Sequence, residues 1–391
     1  MKIWQLDPAQ ITPYYNMAVC EALAAEKCEV RYFTSKYLYG DTFSEFELVK
    51  PEPIYFRGLD KKWLLNLPRL RRVLRGLSYP VGHVRFLSEV KSSPPDVVHV
   101  QWSRVPVFDK WLLRQLRRRN IPVVHTIHDV VPLFAASAGT RPFVDIYSSV
   151  DRLILHTEAN KIDFMRAFPE IPPEKMRVVP LIEYTPSAIP ASASRESARA
   201  ALGLSQNAFV VCFFGSIRHY KGLDILLEAI KEAQKNREDL HLLIAGKFDP
   251  LEESLIPRKE SMLTIPNLHL HEGYIPTEDT WKYFFASDIC VLPYRHIYQS
   301  AALITAMGFG VPIIATHVGG LPETIDGNGW IVPSEDPSAI SAAILEATSD
   351  PERLKRMGKR SREIVETRHS RKSVARALIS VYSELVRNSL K

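Results

Sequence analysis

The segment Gly215-Ser-Ile-Arg-His-Tyr-Lys-Gly222 puts two cations, Arg218 and Lys221, in a loop bounded by glycines. Such a loop can hold a phosphate when its backbone N–H groups and the positive end of a following helix point at one spot. The two side-chain cations would add to that field. An ordinary turn with solvated basic residues is the alternative, because a short motif has little specificity alone. The flanking elements matter for that reason. Residues 209–214 are an unbroken apolar run, rich in β-branched and aromatic residues, which suits a strand buried on both faces of a parallel sheet. Residues 223–233 resume with helical spacing.

The same alternation runs along the chain. Strands are expected at 1–6, 29–34, 96–101, 121–127, 151–156 and 177–179, with a short one at 53–56 and helices at 17–26 and 110–119. Residues 183–207 are small, polar and Pro-rich, as in a linker. Strands then recur at 209–214, 240–245, 267–271, 288–292, 311–315 and 329–332. Helices are expected at 222–235, 278–286, 300–309, 337–348, 351–366 and 370–389. This pattern predicts an α/β protein of two doubly wound, Rossmann-like parallel-sheet domains facing a cleft. Ligands of such sheets bind at the carboxyl ends of the strands. In the second half those ends carry 215–221, 246–249, 273–275, 293–300 and 317–323.

A chain of 391 residues, 46% apolar, has the size of two soluble domains. No stretch approaches the ~20 apolar residues of a membrane span. Asp7 and Pro8 come too early for a signal-peptide core, so a cytoplasmic location is expected. Cys20, Cys28, Cys212 and Cys290 lack metal-ligand spacing, and Cys212 and Cys290 read as buried thiols.

The net charge of +6 is uneven: residues 1–180 carry 26 Lys+Arg against 19 Asp+Glu, and residues 181–391 carry 24 against 25. Within 61–91 there are eight cations and one acid, Glu89, interleaved with Trp63 and leucines at 64, 65, 67, 70, 74 and 77. That mixture suits an interfacial helix drawn to an anionic membrane surface. It equally suits an amphipathic helix packed on its own sheet with a solvated basic face. No nucleic-acid-binding motif is present, and no nucleic acid is expected as a partner.

Five stretches of the second half occur together in a telling order. They are 215–222, Ala245-Gly246, Gly273-Tyr274, 286–294 and Ala306-Met-Gly-Phe-Gly-Val-Pro-Ile-Ile-Ala-Thr-His-Val-Gly-Gly-Leu-Pro-Glu323. They resemble the nucleotide-sugar half of GT-B glycosyltransferases, especially glycosyltransferase family 4. Asp96-Val-Val-His99 and Thr126-Ile-His-Asp129 resemble the same family in the first half.

The resemblance implies an acceptor-binding domain at 1–183, a linker at 184–207 and a nucleotide-sugar domain at 208–368. A C-terminal helix at 369–391 would cross back to the first domain. The implied activity is hexose transfer from a UDP- or GDP-linked sugar to a carbohydrate or lipid-linked acceptor. The setting would be bacterial cell-surface polysaccharide or glycolipid synthesis, by a cytoplasmic enzyme peripheral on the inner face of the membrane. The nucleotide sugar is a substrate, and neither cofactor nor metal is implied; there is no Asp-x-Asp motif. Arg218 and Lys221 would hold the donor diphosphate and stabilise it as it leaves. Gly215, Ser216 and Gly246 would frame the donor loop. Gln299 and Ser300 would offer backbone N–H groups at a helix start. Tyr274 would lie near the base or, alternatively, in the core. His128 would meet the donor sugar or the reacting centre, and Asp129 would be either part of the site or a helix cap.

The sequence also departs from the family. Two glutamates eight apart are usual there, and Ile297 and Thr305 stand in their places, Thr305 at the ribose-facing position. The N-terminal glycine-rich loop is replaced by Gln10-Ile-Thr-Pro-Tyr-Tyr15. The segment 293–303 is similar to that of xanthan-type β-mannosyltransferases, which invert the anomeric centre where family 4 retains it. Inversion needs a general base, for which Asp129 is the first candidate. A catalytically silent GT-B-fold partner subunit that binds a nucleotide sugar is the competing reading, since both glutamates are missing.

Overall fold

The computed structural model describes residues 1–37, 46–59, 61, 63–64, 67–130, 141–183, 189–249 and 262–389. It divides into two compact units, Met1–Tyr184 with Ser370–Lys391, and Thr185–His369.

The first unit holds seven strands: β1 Lys2–Asp7, β2 Glu29–Ser35, β3 Pro51–Tyr55, β4 Val97–Val100, β5 Val123–Thr126, β6 Arg152–Leu155 and β7 Met176–Val178. They pair in parallel in the order β3-β2-β1-β4-β5-β6-β7, so the direction of winding reverses between β1 and β4. Trp4, Phe33 and Phe86 meet in the core with ring centroids 4.8–5.7 Å apart. Arg31 lies against this cluster, 4.6 Å from the Phe33 centroid, and its charge is met by a two-pronged bond to Glu52 at 2.7 and 2.6 Å. The C-terminal helix Arg371–Ser389 belongs to this unit, packs on the helix Pro13–Ala25 and buries Leu378 and Tyr382. Helices at Arg141–Ser149 and Glu158–Ala167 were not anticipated.

The second unit holds β8 Phe209–Phe214, β9 Leu240–Gly246, β10 Leu268–Glu272, β11 Ile289–Leu292, β12 Ile313–Thr316 and β13 Gly329–Val332. Their order is β10-β9-β8-β11-β12-β13, again parallel, with the reversal between β8 and β11. β12 starts later than expected because Pro312 has no N–H for a ladder; its carbonyl accepts from Cys290 N at 2.9 Å. All four cysteines are free, and Cys20, Cys212 and Cys290 are buried.

The expected linker at 184–207 needs correction. Residues 184–188 lie outside the described residues, but Arg195–Ala201 is a helix with a capping box from Ser194 to Ser197. Its anchor is Arg199, which is fully buried. The guanidinium donates to the carbonyls of Ala286, Ser205 and Gln206 and to Asp288 Oδ2 at 2.9 Å. A buried charge so fully bonded fixes the segment to the second unit.

The 61–91 segment also differs from expectation. The helix begins at Pro68, which suits a first helical turn, and runs to Ser92. Leu64 is buried ahead of it, and residues 62 and 65 lie outside the described set. The face against the sheet is Tyr79, His83, Phe86, Leu87 and Val90. Leu70, Val73, Leu77, Val81 and Val84 form a second apolar stripe, and that stripe is exposed. The outer face therefore carries an apolar stripe beside the exposed Arg69 and Arg72.

Replacing Arg199 strands the carbonyls of Ala286, Ser205 and Gln206, while Asp288 keeps Arg195 and Val210 N as partners. Arg199→Ala is expected to destabilise the second unit by about 3–5 kcal/mol, read as a lowered denaturant midpoint. A change below about 1 kcal/mol would show that the helix is held by other contacts.

Candidate functional site

The loop after β8 is fixed by its backbone. Gly215 N bonds to Ala245 O at 2.9 Å and Ile217 N to Lys247 O at 2.8 Å, which ties it to the loop after β9. A Cβ on Gly246 would lie 1.8 Å from Gly215 O, so the two loops meet only through glycine. At the far end, Gly222 (φ 65°) opens the helix Leu223–Gln234, and a Cβ there would lie 1.9 Å from Pro293 O. Between them, His219–Lys221 forms one 3₁₀ turn.

Lys221 leaves this turn half-buried. Its Nζ lies 5.6 Å from the Tyr294 ring centroid, and a Cβ on Gly215 would stand 3.0 Å from it. Burial, reinforced by the positive charge of Arg218, pushes its pKa down to about 8. Arg218 Nε lies 3.1 Å from Asp249 Oδ2 as an ion pair without an aligned hydrogen bond. Ser216 is exposed beside it.

The turn is braced by Arg295, whose part was not legible beforehand. Arg295 N donates to Tyr220 O and its Nη1 to His219 O, while the guanidinium grips Asp224 at 2.8 and 2.6 Å and Glu335 at 3.0 Å. The helix Ala301–Gly308 begins nearby. Ser300 Oγ caps it by accepting from Leu303 N, and Ser300 N is taken by Gln299 Oε1 at 3.0 Å. The expectation that the Ser300 N–H faces a phosphate is thus corrected. Gln299 instead holds a buried Nε2 with no hydrogen-bond partner, a donor that a bound oxygen would satisfy. Thr305 turns its hydroxyl onto Ala301 O at 2.9 Å. Tyr274 is exposed, which removes the core alternative.

In the first unit, His128 follows β5. Trp102 stacks on it at 4.8 Å and 15°, and Tyr15 meets its edge at 4.9 Å. Its Nε2 donates to Gln101 Oε1 at 3.1 Å, which leaves Nδ1 as the accepting nitrogen. Gln101 Nε2 donates to Gln5 Oε1, Gln5 Nε2 donates to His99 Nδ1, and Tyr382 lies 2.6 Å from the same nitrogen. Burial and the neighbouring histidines hold His128 well below the usual histidine range. Burial likewise takes His99 to about 3 and His125 to about 4. His128 is therefore neutral at pH 7. Asp129, half-buried, lies close enough to Tyr147 for its charge to help raise that phenol. Its helix-cap role concerns residues 131–140, outside the described set. Among the described residues no group of His, Cys, Asp or Glu is arranged to hold a metal ion.

Two family profiles divide the chain. Residues 14–181 match Glycosyltransferase Family 4, and residues 194–364 match Glycosyl transferases group 1. The protein belongs to the GT-B glycosyltransferases, of the group 1 and family 4-like kind. A D-inositol 3-phosphate glycosyltransferase of Corynebacterium kroppenstedtii is 29% identical over 297 residues, covering 71% of this chain and 64% of that protein. The match thus spans less than two thirds of that relative's length. Two solved structures share the fold over nearly the whole chain. Sucrose-phosphate synthase from Thermosynechococcus elongatus has a TM-score of 0.74 at 20% identity, covering 99% of this chain and 100% of the other. Anabaena HepE in complex with UDP and glucose has 0.74 at 15%, covering 98% and 100%.

Lys221 in this GT-B protein should betray itself by pH. An anion bound beside it favours the protonated form, so affinity is full below about 8 and falls as pH rises through that value. UDP serves as a diphosphate probe in calorimetry between pH 7 and 9.5. Affinity should drop up to about tenfold per unit above pH 8, and Lys221→Arg should flatten the profile. A flat wild-type profile would remove Lys221 from the anion site.

Proposed function

We propose that this protein transfers a hexosyl group from a UDP- or GDP-linked sugar to a carbohydrate or lipid-linked acceptor in bacterial cell-surface polysaccharide or glycolipid synthesis. The observation that carries this reading is Lys221, a half-buried cation with no carboxylate partner among the described residues, set where β8 and β11 diverge. HepE bound to UDP supports a uridine donor. In the reaction the bond from the anomeric carbon to the diphosphate breaks, and its electron pair leaves on the diphosphate. The acceptor oxygen forms the new bond and gives up its proton. Arg218 and Lys221 stabilise the charge that grows on the diphosphate, and the reaction is proposed to need no metal. Gln299 Nε2 is a further donor for a donor-sugar or phosphate oxygen. His128 and Asp129 serve the acceptor side, His128 through its accepting Nδ1 and Asp129 as base if the anomeric centre inverts.

One observation favours the second reading, a silent partner subunit. Ile297 carries no acid, and the Thr305 hydroxyl is spent on its own helix. Nucleotide release from UDP-glucose and GDP-mannose separates the two. Turnover by the wild type, with a loss of order 10²-fold or more in Arg218→Ala and Lys221→Ala at unchanged melting temperature, supports the enzyme. Binding without turnover supports the silent subunit.

We further propose a peripheral position on the inner membrane face. No helix among the described residues is long and apolar enough to cross a membrane. The exposed stripe Leu70, Val73, Leu77, Val81 and Val84 can instead lie in the headgroup region, flanked by the cations of the same helix. The protein should co-sediment with vesicles containing phosphatidylglycerol at low salt. Val73→Asp with Leu77→Asp should release it while UDP binding persists. Absence of wild-type binding at low ionic strength would make the acceptor a soluble one.

A further inference from the structure

The loop after β8 rests on three residues that follow β11, and each meets a different part of it. Pro293 O lies against Gly222, where only a glycine fits. The Tyr294 ring lies 5.6 Å from Lys221 Nζ. Arg295 takes two carbonyls of the turn: its N donates to Tyr220 O at 2.8 Å and its Nη1 to His219 O at 3.0 Å. His219 O also accepts from Gly222 N at 3.1 Å, the bond that closes the 3₁₀ turn. The carbonyl that shapes the turn is therefore pinned twice.

The Arg295 guanidinium is anchored at its other edges. Nη1 and Nη2 grip Asp224 at 2.8 and 2.6 Å, in the first turn of the helix Leu223–Gln234. Nε donates to Glu335 Oε1 at 3.0 Å, on the loop after β13. Glu335 is held at φ 59°, a conformation that costs energy for a glutamate. The support beneath Lys221 is fixed as well. Tyr294 O accepts from Thr316 Oγ1 at 2.6 Å and from Ser334 Oγ at 3.1 Å. One side chain thus ties together the loops after β8, β11 and β13 and the start of a helix. Four of the five guanidinium N–H donors are spent inside the protein. Arg295 has little left to offer a ligand directly.

We infer that Arg295 is the positioning residue of the donor site, and that it sets where the Lys221 ammonium stands against the donor diphosphate. The inference rests on the glycosyltransferase reading and adds a residue to its machinery. A lysine stem is flexible, and no carboxylate among the described residues holds Lys221 Nζ. Its reach is therefore decided by the backbone of the turn. With that backbone released, Lys221 would leave the Tyr294 face for water, because burial disfavours its charged form. Charge alone at position 295 does not do this work. A lysine there could pair with Asp224, but it lacks the rigid fork that spans two carboxylates and a carbonyl at once. The effect on the diphosphate is carried by Lys221, which makes it separable from a plain loss of stability.

Calorimetry of UDP on the full chain between pH 7 and 9.5 tests it with Arg295→Lys and Arg295→Met. The melting temperature checks the fold of each, and Arg295→Lys decides alone if Arg295→Met melts early, since it keeps a cation for Asp224. Both should bind UDP about tenfold more weakly at pH 7. The fall in affinity above about pH 8 should flatten in both, because a released Lys221 titrates near the ordinary ~10.4. In a Lys221→Arg background, Arg295→Lys should cost less than about threefold, since a residue acting through Lys221 has less to act on there. A folded variant that keeps the wild-type fall through pH 8 overturns the inference. So does an equal loss in both backgrounds, which would make Arg295 independent of Lys221. A wild type that fails to bind UDP overturns the glycosyltransferase reading instead, so the two failures are distinguishable.

Discussion

A half-buried ammonium with no carboxylate partner among the described residues is expensive to hold, and the loop around Lys221 is built against that cost. Desolvation disfavours the charged form, and a flexible loop would simply swing Lys221 into water. The loop cannot swing, because Gly246 lets it lie on the β9 loop and Gly222 lets it pass under Pro293 O. Arg295 then clamps the turn from below. Its own charge is met by Asp224 and Glu335, so it stiffens the turn without lending Lys221 a counter-charge. On the proposed reading the field of Lys221 would meet the donor diphosphate, the kind of preorganisation that makes electrostatic stabilisation of a leaving group effective.

Much of this was legible. Six-residue apolar runs such as 209–214, short and rich in β-branched and aromatic residues, suit strands buried on both faces, and Arg218 and Lys221 stand out in their loop by type and spacing. Strand order was not legible, since it rests on pairing between distant segments. Arg295 was hidden for the same reason: its acceptors are the backbone at 219 and 220 and acids at 224 and 335. The helix Arg195–Ala201 was mistaken for linker because small polar residues carry little periodicity, and its anchor, Asp288, lies 89 positions from Arg199. Ser300 showed its helix-capping type, but the loss of its own N–H to Gln299 is a tertiary detail.

The helix Pro68–Ser92 is the instructive error. Its sequence shows two apolar stripes and several arginines, and periodicity alone cannot say which stripe meets the sheet. Polar partners decide it. His83 reaches Tyr55 at 2.7 Å and Asp109 at 3.1 Å, and Tyr79 reaches Asp109 at 2.7 Å. A buried hydroxyl and imidazole need those partners, so the stripe containing them must face inward. The purely apolar stripe is then left outside.

The same logic accounts for the long return of the C-terminal helix. His99 sits beneath His128 in a chain of amides where any unpaired nitrogen would be costly. The Tyr382 hydroxyl, 283 positions away, lies 2.6 Å from the same His99 Nδ1 that Gln5 Nε2 reaches. Because each member of the chain fixes the tautomer of the next, His128 presents its accepting nitrogen only while the whole chain is intact.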